Sequence, residues 1–352
     1  MMKKDFIKYK VKPSDSLNSI AFRMNMNKHD LKEFHNQNSG KMDKLWFDSL
    51  RGVEFILIPI AYISKEEHED LLQKRLPSVQ DLASFHADEY NITENIQQFN
   101  KSELTFNYEV NIEIEQKASQ VIATTRQKDV KKNSSTPVDK ISSLALACME
   151  TVSPIPFIIS PDGKISLFAD HKTLVQKFKD NQTAIRDFFT GAPSKAYIDL
   201  FYENISNEKY FLKQISSTLL NKILFPNMNW FSRKSRWVEC FKIYHNSFPL
   251  KFDFNAEYFH ENIEYVETVI KGIIAENCSL QELIKGSRFE NEKQEENINA
   301  SIYIHYFTDK LTKQLVEVSA SVLICHRNEL FYKHDLNIKT QKTNENLYHK
   351  GQ

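Results

Sequence analysis

The sequence predicts an α+β protein in which a small strand–helix–helix–strand unit precedes a larger body of antiparallel strands and packed helices. Residues 6–60 pass from alternating apolar residues to helical spacing and back to alternation. Two alternating runs follow in residues 104–126, and three more occur in residues 300–340, with helical patterns between these regions. Alternation is typical of half-buried strands, whereas apolar residues that recur about once per helical turn are typical of amphipathic helices.

The first unit begins with the alternating run FIKYKV, which predicts a strand that ends at Pro13. Ser14 or Asp15 can cap the helix that follows, because a short side-chain oxygen accepts hydrogen bonds from the first turn. Asn27 can cap a second helix, and EFILIP predicts the closing strand. The apolar face of the first helix is formed by Leu17, Ile20, Ala21 and Met24.

This unit resembles the LysM domain over residues 6–60. The resemblance rests on YKVKPSDSLNSIA at the start, Asn36 after the second helix and GVEFILIP at the end. It implies a βααβ fold, and members of the family bind N-acetylglucosamine units of peptidoglycan or chitin. The residues that match the family's first motif are Asp15, Ser16, Leu17, Ile20 and Ala21, and those that match its end are Gly52, Phe55, Leu57 and Pro59.

The residues predicted to bind a ligand or partner lie mainly in two loops of this unit. The loop before the closing strand is longer than is usual in the family and contains two large aromatic residues, Trp46 and Phe47. These aromatics could cover a small core, contact another protein or stack on a sugar ring. The full predicted set is Ser14, Asp15, Ser16, Leu17, Asn36, Trp46, Phe47 and Gly52.

The rest of the chain is predicted to form a segment over 61–126 and an α+β body over 138–345. Helices are predicted over 64–76 and in VQDLASFHADEY and ITENIQQFN, before the strands of 104–126. The polar stretch 127–137 predicts a loop or linker. The body contains a helix in DKISSLALACMETV, a hairpin in IPFIISPDGKISLFA and a helix capped by Asp170.

The remaining elements follow in order. Residues 194–224 predict two helices, WVECFKIYH and FPLKFDF predict strands, and 255–277 is the longest helical pattern. Three strands close the chain, and strands from distant parts of the sequence could join one sheet with helices packed against it.

Composition makes several chemistries improbable. The chain has 7 glycines among 352 residues, too scattered to form a phosphate-binding loop. Basic and acidic residues number 46 each, which gives no general attraction to nucleic acid. The motif His260-Glu261-x-x-Glu264 lies in the predicted long helix, but a solvated polar face explains it better than a metal site. No catalytic residue, metal or cofactor is predicted.

Four cysteines, Cys148, Cys240, Cys278 and Cys325, lie in apolar contexts and are expected to be buried free thiols. The sequence contains neither a signal-peptide pattern nor an apolar run long enough to span a membrane. We therefore expect a cytoplasmic protein, exported if at all without a cleavable leader.

Two functions follow from the resemblance. LysM-like modules without a leader occur in contractile injection machines, such as type VI secretion systems and phage tails, which implies a non-catalytic adaptor or structural component. Its expected partner is a spike, baseplate or effector protein. The alternative is a peptidoglycan-binding protein, or a toxin effector delivered by such a machine.

Overall fold

The structure is a computed structural model, and the chain divides into two compact units, Met1–Lys74 and Arg75–Gln352. The residues that the structure describes are 6–24, 26–60, 62, 65–117, 120–245, 247–288 and 297–341.

The first unit has the order strand, helix, helix, strand, followed by a third helix. Strands β1 and β2 pair antiparallel, with Phe6 opposite Pro59 and Lys10 opposite Phe55. A short 3-10 turn, Lys41–Asp43, lies between the second helix and β2. The elements are β1 (Phe6–Lys10), α1 (Leu17–Arg23), α2 (Lys28–Asn38), β2 (Phe55–Pro59) and α3 (Lys65–Gln73).

The start of α1 differs by one or two residues from the prediction. Ser16 caps the helix, because its Oγ accepts a hydrogen bond from Ser19 N at 3.1 Å. Asp15 is not available for capping, since its carboxylate accepts a bond from Lys12 N instead. The core of the unit is formed by Leu17, Ile20, Ala21, Met26, Leu31, Leu45, Ile56 and Ile58.

The second unit contains an antiparallel sheet of eleven described strands. Their order across the sheet is β7-β6-β5-β4-β3-β13-β12-β11-β10-β9-β8. The strands are β3 (Glu89–Gln98), β4 (Leu104–Lys117), β5 (Gln120–Lys132), β6 (Ile155–Ile159), β7 (Ile165–Phe168), β8 (Trp237–Phe241), β9 (Leu250–Phe259), β10 (Tyr265–Ile274), β11 (Asn299–Asp309), β12 (Leu315–His326) and β13 (Glu329–Thr340).

Two features of this sheet determine where the helices lie. Strands β3 and β13 pair near its centre, which confirms that distant strands join one sheet. Strands β7 and β8 are its two edges, and four consecutive helices connect them, so that this connection crosses a face of the sheet. The helices are α4 (Lys140–Val152), α5 (His171–Phe188), α6 (Ala192–Ser206), α7 (Glu208–Ser216), α8 (Leu219–Leu224) and α9 (Leu280–Lys285).

Buried hydrogen bonds attach α8 to the sheet and to the segment before β3. Tyr306 Oη on β11 donates to Ile223 O at 3.0 Å. His86 Nε2 lies 2.8 Å from Leu224 O, and its ring packs against Phe225. The helical connection is therefore anchored at its last helix as well as at the sheet edges.

The α+β class is confirmed, and so are the helix α4, the β6–β7 hairpin, the Asp170 cap and the final three-stranded meander. The predicted helix over 255–277 is wrong, because these residues form most of β9 and β10. Buried Val266, Thr268 and Ile270 alternate along β10, and all three are β-branched side chains that suit a strand. Val266 and Ile270 are four residues apart and therefore fit a helical period as well. The His260 motif consequently lies at the β9–β10 turn, not on a helix.

Three further segments differ from the prediction. ITENIQQFN is predicted to be a helix but forms most of β3. The pattern is ambiguous because Ile92 and Ile96 are four residues apart, a spacing that fits one face of a strand as well as one face of a helix. VQDLASFHADEY contains only the 3-10 turn Val79–Asp81 before β3 begins. Over 194–224, three helices replace the two predicted, because Ser217 and Thr218 interrupt the second.

The predicted linker over 127–137 is also partly wrong, because β5 continues to Lys132. Strand β6 pairs only with Val121–Thr125, so that the end of β5 has one neighbouring strand and largely exposed side chains. Such a segment needs no apolar alternation, and its sequence therefore contains no strand signal. The predicted ranges also include residues that lie outside the described part of the chain, namely 25, 61, 63–64, 118–119, 246, 289–296 and 342–345.

The cysteines are free, but their burial differs from the prediction. Cys148 and Cys278 are buried, Cys325 is intermediate and Cys240 is exposed. Burial raises the pKa of both Cys148 and Cys278 to about 11.

Candidate binding sites

In the first unit, the loop over 39–54 is fixed to α2 by buried and half-buried hydrogen bonds. Leu45 N donates to Asn36 Oδ1 at 2.7 Å, and Asn36 Nδ2 donates to Leu45 O at 3.0 Å. Leu57 N donates to His35 Nδ1, so that Nε2 carries the proton and donates to Asp43 O at 2.7 Å. Leu45 is only 4% exposed. This loop is therefore held in one conformation by α2.

Two lysines hold the outer part of the same loop. Lys32 Nζ lies 2.9 Å and Lys28 Nζ 3.2 Å from the Asp48 carboxylate. Hydrogen bonds from Lys32 and then Lys28 lower the pKa of Asp48. Lys32 also donates to Trp46 O at 3.3 Å. The backbone beneath Trp46 is thus fixed on both sides.

The fixed loop presents large apolar side chains to solvent. Trp46 is 75% exposed, Phe47 is 79% exposed and Met42 is 98% exposed. Leu45, not the two aromatics, covers the core of the unit. Most exposed hydrophobic residues need no explanation, but three on one rigid loop form a surface that a partner can cover.

The β1–α1 connection forms a second, more polar surface. The Asp15 carboxylate accepts hydrogen bonds from Tyr9 Oη and Lys12 N, both at 2.9 Å, and pairs with Arg23 at 2.5 Å. The bond from Lys12 N is the main reason that the pKa of Asp15 is lowered, with Tyr9 and Arg23 adding to it. An open depression here is lined by Ser14, Asp15, Ser16, Asn18, Ser19, Ala21, Phe22, Arg23, Met26, Asn27 and Lys28.

The structure does not gather the sequence-predicted residues into one pocket. Ser14, Asp15 and Ser16 line the depression, whereas Leu17 belongs to the core. Asn36 positions the loop, on which Trp46 and Phe47 are exposed. Gly52 has a φ of +77° at a turn, which explains a glycine there without any ligand.

The second unit contains a cavity of about 660 Å³ that the sequence did not predict. Its floor is the sheet face of β3, β4, β5 and β13, and its walls are α4, the break between α7 and α8, and the segment 242–245. This volume is within the range of small-molecule sites in proteins. The sequence signal was absent because the floor combines strands that are up to 240 residues apart.

Three side chains from neighbouring strands, Tyr108 buried and Glu94 and His334 partly buried, form a polar cluster in the cavity floor. His334 Nε2 on β13 lies 2.7 Å from Glu94 Oε2 on β3. Tyr108 Oη on β4 donates to Glu94 Oε1. Burial, followed by the Glu94 charge, raises the pKa of Tyr108 well above its usual value. The phenol therefore stays protonated, and both oxygens of Glu94 are occupied by donors.

A β-bulge lies beside this cluster. The β4–β5 register shifts between Asn107 and Glu109, so that Tyr108 faces the extra residues of β5. Asp129 in β5 has a φ of +53°, an unusual conformation for a residue other than glycine. Bulges commonly occur near functional sites, where they redirect side chains.

A second group of polar side chains lines the same cavity. The rings of Tyr244 and Tyr332 meet edge to face, with centroids 5.2 Å apart. The Tyr332 and His334 rings are 6.3 Å apart, which connects this group to the Glu94 cluster. Burial raises the pKa of Tyr332 to about 12, with smaller contributions from Glu94 and Tyr244.

The described residues contain no group of three or more His, Cys, Asp or Glu side chains arranged to hold a metal ion. Among the described helices, none is both long and apolar enough to cross a membrane. No protein-family model matches the chain, and no curated protein matches it.

Proposed function

We propose that this protein is a non-catalytic adaptor whose first unit binds a protein partner through Met42, Trp46 and Phe47. The observation that carries the proposal is the exposure of these three side chains on a loop that α2 holds rigidly. Large aromatic residues in a fixed conformation lose little entropy when they are buried, and they are enriched among the residues that dominate binding energy.

The surroundings of this apolar surface fit a protein interface. Lys28, Lys32 and Asp48 form charged pairs beside it. Protein interfaces commonly combine an apolar centre with a polar rim that remains accessible to water. The charged pairs are partly exposed and would form such a rim, adding orientation more than affinity.

The resemblance to LysM supplies the biological setting of the proposal. The adaptor would act in the cytoplasm of the producing cell, as a component of a contractile injection machine related to type VI secretion systems or phage tails. Its partner would be a spike, baseplate or effector component. The second unit would then bind cargo or another component.

A second candidate is binding of peptidoglycan at the depression around Ser14, Asp15 and Ser16. Small polar side chains line it, and Phe22 in its lining is 86% exposed. Hydrogen-bonding groups beside an exposed ring are what a sugar needs for recognition, because the ring packs on its apolar face. In this alternative the chain is a glycan-binding protein or a delivered toxin.

One experiment separates the two candidates. The tagged full chain is used to capture proteins from the producing cell, and in parallel it is sedimented with insoluble peptidoglycan. We expect capture of a spike, baseplate or effector protein that Trp46→Ala/Phe47→Ala abolishes. The matched control is Leu311→Ala, which removes an apolar side chain that is 91% exposed in the second unit.

Two results would contradict the adaptor proposal, and the first of them favours the second candidate. Retention on peptidoglycan that is lost in Phe22→Ala and kept in Trp46→Ala/Phe47→Ala supports glycan binding and contradicts the adaptor proposal. Capture of the same machine component by the wild type and by the double variant also contradicts it.

A further inference from the structure

The cavity of the second unit has an apolar part that is suited to a hydrocarbon chain. Leu146 and Met149 on α4 and Ile215 on α7 are partly exposed and contribute to its lining, with Leu219 and Leu220 on α8 beside them. A ligand that buries its apolar surface here gains roughly 25 cal/mol for each Å² removed from water. The volume of about 660 Å³ accommodates a molecule larger than a single metabolite ring.

The polar part of the cavity contains Lys242, a lysine with no acidic partner among the described residues. No carboxylate oxygen of those residues lies within 4.0 Å of its Nζ, which instead donates to Gln214 Oε1 at 3.4 Å. Burial and then the charge of Lys213 lower the pKa of Lys242. Lys242 is only partly buried, and an anion beside it would offset the part of its hydration that burial removes.

Two phenol groups in the same cavity lining add hydrogen-bond donors. Neither Tyr244 Oη nor Tyr332 Oη has a hydrogen bond to a described residue, although both residues line the cavity. The acidic residue between the floor strands does not neutralise them, because Tyr108 and His334 already occupy both oxygens of Glu94. The other charged lining residues, Lys128, Asp129, Lys131 and Glu150, are exposed and balance in charge, so that Lys242 and the two phenols leave an excess of donors.

We propose that this cavity binds a small amphipathic carboxylic acid, such as a medium-chain fatty acid. Its carboxylate pairs with Lys242 and accepts hydrogen bonds from Tyr244 and Tyr332. Its chain lies along Leu146, Met149 and Ile215. A carboxylate supplies an acceptor for the two phenols and the anionic partner that Lys242 lacks among the described residues, and hydrogen bonds between ionised partners are stronger than neutral ones. This proposal concerns the second unit and is independent of the partner-binding loop.

The test is titration calorimetry of the delipidated full chain with dodecanoate and, separately, with dodecanol. We expect dodecanoate to bind more tightly than the neutral alcohol. Lys242→Met should weaken dodecanoate binding by roughly tenfold or more, because it removes a charge-assisted bond. It should leave dodecanol binding unchanged, since the hydrocarbon part of the cavity remains intact.

A matched variant and a milder variant complete the test. Lys251→Met removes an exposed lysine from β9, outside the cavity, and should leave dodecanoate binding at the wild-type value. Tyr332→Phe preserves the ring and removes one donor, so that dodecanoate binding should weaken several-fold without loss of folding.

Three results would overturn the proposal. The first is no binding of dodecanoate to the wild type. The second is equal binding of acid and alcohol, with both unaffected by Lys242→Met. The third is tighter binding of an apolar peptide with a free C-terminal carboxylate, which would assign the cavity to the end of a partner chain.

Discussion

Replacing Asn36 by alanine tests whether the apolar loop of the first unit is fixed by α2. The Asn36 amide makes two hydrogen bonds to the backbone of Leu45, at 2.7 and 3.0 Å. Because one side chain satisfies both the N–H and the C=O of Leu45, Asn36→Ala removes both bonds at once. The residues on the exposed side of the loop, Trp46 and Phe47, lose no contact of their own.

The magnitude follows from the burial of these bonds. A typical intramolecular hydrogen bond contributes about 1 kcal/mol, and an unsatisfied buried group costs more. Both bonds are only partly buried, so that water can reach the freed groups once the loop opens. We therefore expect the free energy of loop opening to fall by about 2 kcal/mol, which corresponds to a roughly thirtyfold larger opening equilibrium constant.

Hydrogen exchange of the full chain measures this change directly. The Leu45 amide should exchange about thirtyfold faster in Asn36→Ala, because exchange requires the loop to open. The matched control is Gln37→Ala, which removes an exposed side chain bonded to Glu33 on the same helix. Equal exchange of Leu45 in the wild type and in Asn36→Ala would refute the reasoning, as would an equal change in Gln37→Ala.

Three further predictions concern the second unit. Gly272→Ala should lower the free energy of unfolding of this unit by about 1–3 kcal/mol, because an added Cβ would lie 2.3 Å from the Phe254 ring. Urea unfolding should show that the same substitution costs less stability in a Phe254→Leu background. An equal cost in both backgrounds would contradict this packing. Burial lowers the pKa of His86 to about 4, so that the unfolded state binds the extra proton between about pH 6.5 and 4. As the pH falls across that window, stability should therefore fall by about 3 kcal/mol more in the wild type than in His86→Gln, and parallel pH profiles of the two would refute it. A thiol reagent should label exposed Cys240 well before buried Cys278, whose pKa is raised to about 11, and similar rates would contradict the burial.

The first unit could be predicted from sequence because its signals are local. The Pro13 boundary, the apolar spacing of α1 and the alternation of EFILIP all act within a few residues. The structure contains the predicted order of two strands around two helices. The cap was displaced from Ser14 or Asp15 to Ser16, because tertiary partners of Asp15 decide which nearby oxygen is free.

The second unit was harder to predict, because the apolar spacing in several of its strands fits the period of a helix as well as that of a strand. Residues four positions apart lie on one face of either a helix or a strand, as Ile92 and Ile96 show in β3. In 255–277, Val266 and Ile270 have the same ambiguity, and the turn that separates β9 from β10 contains neither Gly nor Pro. The length of this apolar pattern predicted one long helix. In the structure, residues 265–273 instead pair with β11 and form a strand.

Some of the candidate residues could likewise be predicted from local sequence, and others could not. Trp46 and Phe47 could be selected from sequence because aromatic residues in a polar loop are unusual in themselves. Their exposure could not be predicted from sequence, because it depends on Leu45 being the residue of this loop that packs into the core. Glu94 and His334 could not be paired from sequence at all, because only the β3–β13 register brings them together.

The topology also explains why a cavity exists in the second unit. A connection from one edge of a wide sheet to the other must cross its face, and a single straight helix cannot follow the twist of the strands over that distance. In this protein the connection consists of several short helices. It is interrupted at Ser217 and Thr218, between α7 and α8. Both residues line the cavity, together with Leu219 at the start of α8. The space is therefore located where the helical layer breaks, and the polar side chains of β3, β4 and β13 face that break instead of a packed helix.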